Sequence, residues 1–265
     1  DDLAERAMKV LWPSDRDSRP QAGEWIREQI RRLVESGRLI QDEDRIFIRP
    51  VYRAERSLVS HLKRLMHGVR PFPYSISAMI EEYQLRARIT FDERQREAIA
   101  SALNNKICII TGGPGTGQTT IVNAVLDLAR QAGMDDIGLV APTGRAAKRL
   151  QESSGLTGKT IHRYLGYNPQ EGFQHDESNP VSDELIVCDE ASMLDVFLAG
   201  DLVAALPNKA RLVLVGDVDQ LPSVGAGNVL RDCIRSGVIP VTELNTIHRQ
   251  ERSEERRVGK ECIVK

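Results

Sequence analysis

Aromatic side chains are scarce in this sequence: two Trp, five Tyr and five Phe amount to 5% of 265 residues. Any surface that holds rings by stacking must therefore rest on a handful of positions. Long apolar runs are missing as well. None approaches the ~18 residues that a membrane-spanning helix requires, and the opening DDLAERAMKV has neither an initiator Met nor the apolar centre of a signal peptide. The chain reads as a soluble, cytosolic fragment with no membrane partner. Cysteine is sparse too: Cys108, Cys188, Cys233 and Cys262 lie far apart, and the first three sit in or beside apolar runs such as ICII and LIVC. That placement points to buried thiols rather than disulfides or zinc ligands. Internal repeats and low-complexity tracts are absent, and a composition 41% hydrophobic and 28% charged excludes disorder, collagen and coiled coil.

A strong net charge is also lacking, since the formal total is −2. Residues 1–90 carry 17 Lys and Arg against 14 Asp and Glu, whereas residues 91–265 carry 19 against 24. A polyanion can therefore be held only in a local groove and not by a whole face.

Within residues 20–40, Trp25, Ile26, Ile30, Leu33 and Val34 recur at helical spacing, with Gly37 as a stop. Leu39-Ile40, a polar QDED turn and Ile46-Phe47-Ile48 then predict a short two-stranded ribbon. Helix followed by ribbon is a winged-helix-like pattern. Its arginines, Arg31, Arg32, Arg45 and Arg49, read first as a solvated basic face and second as a DNA contact. Helices are expected over about 51–66 and 75–85. From Phe91 the rhythm changes to short apolar runs at 107–110, 137–141, 185–188, 212–215 and 239–241, separated by helical stretches. Such alternation predicts an α/β unit with a parallel sheet covered on both faces, whose ligands bind beyond the carboxyl ends of the strands.

The unusual polar residues fall at those ends. Gly112-Gly113-Pro114-Gly115-Thr116-Gly117-Gln118-Thr119-Thr120 follows the ICII run and precedes an amphipathic helix over 121–130. This is P-loop context. Glycines let backbone N–H groups approach phosphates, the helix start favours anions, and Thr119 offers a hydroxyl to Mg²⁺. A plain strand-to-helix turn is the bland alternative. Asp189-Glu190 ends another run and sets two carboxylates side by side; helix capping accounts for one acid but not for both. Gly216-Asp217-Val218-Asp219-Gln220 ends a third, where Gln220 can sense a γ-phosphate while Asp217 and Asp219 fix the loop. Thr143-Gly144-Arg145 brings a hydroxyl, backbone amides and a guanidinium to a strand end, as a phosphate contact needs. His162 and Tyr164 can stack on bases, although His162 suits a hydrogen-bonded loop equally well.

Taken in order, Gln95 in FDERQREAI, GGPGTGQTT, APTGRAAKRL, TIHRYLGY, VCDEASML, GDVDQLPSVGAGNVLRD and LNTIHRQ resemble the motifs of superfamily 1 helicases, specifically the RecD-like ATP-dependent 5′-to-3′ DNA helicases. The resemblance covers about residues 1–251. It implies a RecA-like P-loop NTPase domain that uses ATP and Mg²⁺ and binds single-stranded DNA in a bacterial cytoplasm. It also assigns roles: Gln95 reads adenine, Thr119 and Asp189 hold Mg²⁺, Glu190 is the catalytic base, Gln220 senses phosphate, and Arg249 stabilises transferring-phosphoryl charge. Pro142, Thr143, Gly144, Arg145, Thr160 and His162 match its single-strand contacts.

Two departures qualify that reading. The P-loop pattern demands Lys where this chain has Gln118, a neutral amide that can donate a hydrogen bond but supplies no charge. Hydrolysis is expected to suffer more than binding, and a catalytically silent ATP- and DNA-binding module is the main alternative; an unrelated P-loop NTPase is a third. The string RSEERRVGKEC from Arg252 to Cys262 lacks apolar periodicity and reads as part of a non-native tail. The expected organisation is a helical, winged-helix-like region over 1–90, a motor domain over 91–251, and the tail over 252–265, without the second motor domain. Protein partners are not specified by any motif.

Overall fold

The computed structural model describes residues 19–67 and 72–246, with side chains from residue 23. Contacts divide the chain into two units, one ending at His61 and the other beginning at Leu62.

In the first unit, helix α1 (Arg19–Glu35) buries Ile26, and Gly37, at φ 70°, turns the chain out of the helix. Trp25, expected on the apolar face, is exposed. Strands β1 (Leu39–Asp42) and β2 (Arg45–Ile48) pair antiparallel, with Leu39 opposite Ile48 and Asp42 opposite Arg45. The Phe47 and Tyr52 rings lie 5.5 Å apart. Helix α2 (Arg49–Met66) follows at once and crosses the unit boundary. Arg31 and Arg32 both pair with Glu28 on their own helix, which fits a solvated face.

The second unit contains α3 (Ile76–Ala87), α4 (Glu93–Asn104), β3 (Ile107–Gly112), α5 (Gln118–Gln131), β4 (Ile137–Ala141), α6 (Gly144–Ser154), β5 (Gly158–Thr160), α7 (Ile161–Tyr164), β6 (Leu185–Cys188), α8 (Val196–Ala204), β7 (Arg211–Gly216), α9 (Val229–Ser236) and β8 (Val241–Leu244). Six strands form one sheet in the order β5-β4-β6-β7-β3-β8, and every neighbouring pair is parallel. This is the expected RecA-like α/β fold. Strand β7 lies between the P-loop strand β3 and the acidic strand β6. All strands are parallel, so the loops after β3, β4, β5, β6 and β7 emerge along one edge.

The strands carry continuous apolar runs because both faces are covered. Ile99 and Leu103 of α4, Ile121, Val125 and Leu128 of α5, and Val187, Val213 and Val215 of the sheet belong to one core. That core also takes in Phe72, Ile76 and Ile80. Residues 62–90, expected with the winged region, thus pack on the sheet-bearing unit, and the change of sequence rhythm at Phe91 is not a change of core. Further ties reinforce this: Arg86 pairs with Asp127 of α5, Phe91 stacks on Tyr83 at 6.0 Å, and Arg64 donates to the Val203 carbonyl at the end of α8 at 3.0 Å.

Cys108 and Cys188 are buried and unbridged; burial pushes the Cys108 thiol up to about 12 and that of Cys188 higher still. Cys233 is only half-buried. Cys262 and the whole 252–265 segment lie outside the described residues, as does Arg249. Among the described residues no helix is long and apolar enough to cross a membrane.

Candidate functional site

A cleft of about 680 Å³ opens on the carboxyl edge of the sheet, lined by the loop after β3, the start of α5, one face of α6, and the loops after β6 and β7. The P-loop is shaped by two glycines with different duties. A Cβ on Gly112 would lie 2.8 Å from the Leu244 carbonyl, so only glycine lets β3 run this close to β8. Gly117, at φ 88°, begins α5 in the left-handed region. Thr116 is buried, its hydroxyl donating to the Gly113 carbonyl at 2.8 Å. Thr119 and Thr120 are exposed at the mouth of the cleft, on the first turn of α5.

Gln118 does not point freely into the cleft. Its Nε2 donates to the Gly112 carbonyl at 2.5 Å, closing the loop on itself. Gln95, assigned to adenine, is buried and does not line the cleft. Its Nε2 donates to the Thr116 carbonyl at 3.3 Å, and its Oε1 accepts from the Asp92 amide at 3.2 Å in a capping box at the head of α4. In this structure it braces the P-loop from behind.

Asp189 and Glu190 line the opposite wall. Burial holds the Asp189 carboxyl above its ordinary range, against a lowering by the Glu190 amide, which donates to Asp189 Oδ1 at 2.9 Å. Glu190 adopts φ 54°, a left-handed conformation that a non-glycine residue holds at a cost and that gathers at functional sites. Its carboxylate is paired with the Arg149 guanidinium of α6. After β7, buried Asp217 accepts from the Asp219 amide at 3.0 Å and from Gln220 Nε2 at 3.1 Å. Asp217 therefore fixes the loop that carries Gln220, as expected; Asp219 contributes its backbone.

The residues assigned to DNA form a separate group along the same edge. Ala141 and Thr160 are register partners in β4 and β5, which brings Pro142-Thr143 beside Thr160-Ile161. Thr143 and Thr160 both cap helices, their hydroxyls accepting from Ala146 and Arg163 at 3.2 Å. Gly144, Arg145 and His162 are exposed. Tyr164 is not available for stacking: it is buried, and its hydroxyl donates to Asp183 at 2.9 Å. The aromatic companions of His162 are instead Tyr167 and Phe173, with ring centroids 5.5 and 5.7 Å from it. Tyr167 stood in the quoted TIHRYLGY string, three residues beyond the one singled out. Arg149 was also missed, although it lies one helical turn after Arg145 and so on the same side of α6.

Against known proteins, residues 95–226 match a family described as an AAA domain. The chain is 38% identical over 232 residues to the ATP-dependent RecD2 DNA helicase of Deinococcus radiodurans, covering 82% of this chain and 31% of that protein. It is 42% identical over 182 residues to the RecBCD enzyme subunit RecD of Mycolicibacterium smegmatis, covering 59% of this chain and 33% of that subunit. The corresponding subunit of Mycobacterium tuberculosis is 35% identical over 236 residues, covering 79% and 40% respectively. The chain thus spans between 31% and 40% of the length of these relatives.

Proposed function

The chain belongs to the RecD-like superfamily 1 helicases, and from that premise we propose that its second unit is the nucleotide-binding half of an ATP-driven DNA motor, impaired in hydrolysis by Gln118. The observation that carries this reading is the convergence on one cleft of the P-loop, Thr119, Asp189-Glu190 and Gln220. A hydroxyl and a carboxylate are the hard oxygen donors that Mg²⁺ takes when phosphates and water complete its shell, so the residues fit the ion. Thr119 and Asp189 would hold the ion, which would neutralise charge on the nucleotide's phosphates.

The chain's own residues do the remainder. P-loop amides and the start of α5 seat the phosphates. Glu190 accepts a proton from the water that attacks the γ-phosphorus, as the bond to the bridging oxygen breaks and ADP departs. Gln220 donates its amide toward the transferring group, and Arg249 adds positive charge to it. Gln118 lacks the charge of lysine, and loss of one preorganised donor typically slows such chemistry by ~10²–10³. Single-stranded DNA crosses the neighbouring Pro142–Arg145 and Thr160–His162 loops, in a protein of the bacterial cytoplasm. The motor domain is proposed over 91–251, with residues 62–90 packed on it as part of the same unit and 252–265 as a non-native tail.

The test is a Mg²⁺-ATP titration paired with a turnover assay. Binding with background turnover is expected; robust hydrolysis by this chain would overturn the argument from charge. The silent-module reading draws on Gln118 donating to Gly112, and DNA-stimulated hydrolysis by a full-length Gln118→Lys protein would eliminate it.

A further inference from the structure

Among the described residues, three carboxylates, Asp189, Glu190 and Asp217, line the cleft with one cation, Arg149. A triphosphate brings more negative charge into this wall. The position that the P-loop pattern gives to lysine is neutral, and its amide is engaged with the Gly112 carbonyl. The Arg149 side chain is 58% exposed and its Glu190 partner 19% exposed, so the guanidinium side of the pair is open to water. A guanidinium also presents a planar fork of donors that matches phosphate oxygens better than it matches a single carboxylate oxygen.

We infer that Arg149 is a phosphate-binding cation of this cleft, acting beside the charge proposed for Arg249 and exchanging Glu190 for the nucleotide's terminal phosphate on binding. The inference rests on the proposed reading that the cleft takes a nucleoside triphosphate. The exchange has two consequences. It restores positive charge that Gln118 does not supply, and it frees the Glu190 carboxylate at the moment when a water can lie beside the γ-phosphorus. Arg145 and Arg149 share α6, so the helix that offers the first to DNA offers the second to the nucleotide.

The experiment is calorimetric titration of the full chain with Mg²⁺-ATP and, separately, with AMP. Arg149→Ala should weaken ATP binding about tenfold or more, the worth of a charge-assisted contact, while changing AMP binding by less than about twofold. Arg149→Lys should recover part of the loss. In a Gln118→Lys background the effect of Arg149→Ala should shrink to about threefold, because the charge is then supplied twice. Glu190→Gln should tighten ATP binding when Arg149 is present and not when it is Ala, as competition for one guanidinium requires. Equal losses for ATP and AMP, or unchanged ATP affinity, would overturn the inference and leave Arg149 as a brace for the Glu190 loop. Thermal melts identify a variant that fails to fold, in which case Arg149→Lys and Arg149→Gln carry the comparison. If the unaltered chain binds no Mg²⁺-ATP, the reading of the cleft falls and the inference with it; if it binds and Arg149→Ala makes no difference, only the inference falls.

Discussion

Asp189 is a partly buried carboxylate just past the end of β6. Burial raises its pKa in the folded state, so the folded chain keeps a proton that the unfolded chain has already released. Stability therefore falls as pH rises from the ordinary aspartate range through the raised one, and stays lower above it. Asp189→Asn removes that cost. Its melting temperature at neutral pH should exceed that of the unaltered chain by about 2–4 °C for each kcal/mol relieved, with the gain vanishing under strongly acidic conditions and Mg²⁺-dependent nucleotide binding lost. A buried cation gives the opposite case. Lys106 donates through Nζ to the carbonyls of Asn208, Lys209 and Ala210 at 2.8, 2.9 and 3.4 Å. Lys106→Met strands those acceptors and should cost about 2–4 kcal/mol, read from denaturant unfolding. Asp189 was legible in the sequence because two acids at the end of an apolar strand have few other uses. Lys106 was not, since a lysine before a strand looks like any solvated charge until the returning chain closes over it.

Among the elements, strands 137–141 and 185–188 are where the apolar runs put them, because a fully covered strand must be apolar throughout. Strand β5 escaped the reading: Gly-Lys-Thr has no apolar run, and at the sheet edge β5 pairs with β4 and packs against α6, where a Cβ on Gly158 would run into the Ala147 carbonyl. The last strand, expected at 239–241, lies at Val241–Leu244. Pro240 offers a carbonyl, which accepts from Ile109 at 2.9 Å, but has no N–H to donate, so regular pairing begins after it. The loops proposed for DNA carry recognisable motifs, yet sequence could not show that Thr143 and Thr160 cap the helices they begin. Replacing either by Ala should therefore cost about 1 kcal/mol of stability before any effect on DNA is counted. Arg145→Ala separates the two roles, being exposed and outside the caps. It should weaken binding to all single strands alike and reduce the slope of log affinity on log salt by about 1. A change confined to one sequence would mean that Arg145 reads a base.

For the whole molecule, the division of the chain follows contacts and not composition. Charge and rhythm both change near Phe91, yet Leu65, Phe72, Ile76 and Ile80 are buried, and the last three share a core with Ile99, Leu103 and Ile121. A sequence read by its motifs cannot see this, because the helices before residue 91 carry no motif and their apolar faces name no partner. Two truncations put the boundary to the test. A chain beginning at Leu62 keeps every one of those side chains and should melt cooperatively, with Mg²⁺-ATP affinity equal to that of the full chain. A chain beginning at Phe91 loses Leu65, Phe72, Ile76 and Ile80. Each buried Leu, Ile or Phe lost from a packed site typically costs ~2–5 kcal/mol, so four of them together are as large as the ~5–15 kcal/mol by which a domain is stable. That shorter chain should be unfolded or aggregated by circular dichroism and gel filtration. If it instead folds and binds nucleotide like the longer one, residues 62–90 are an appendage of the sheet-bearing unit and the boundary belongs at the change of rhythm.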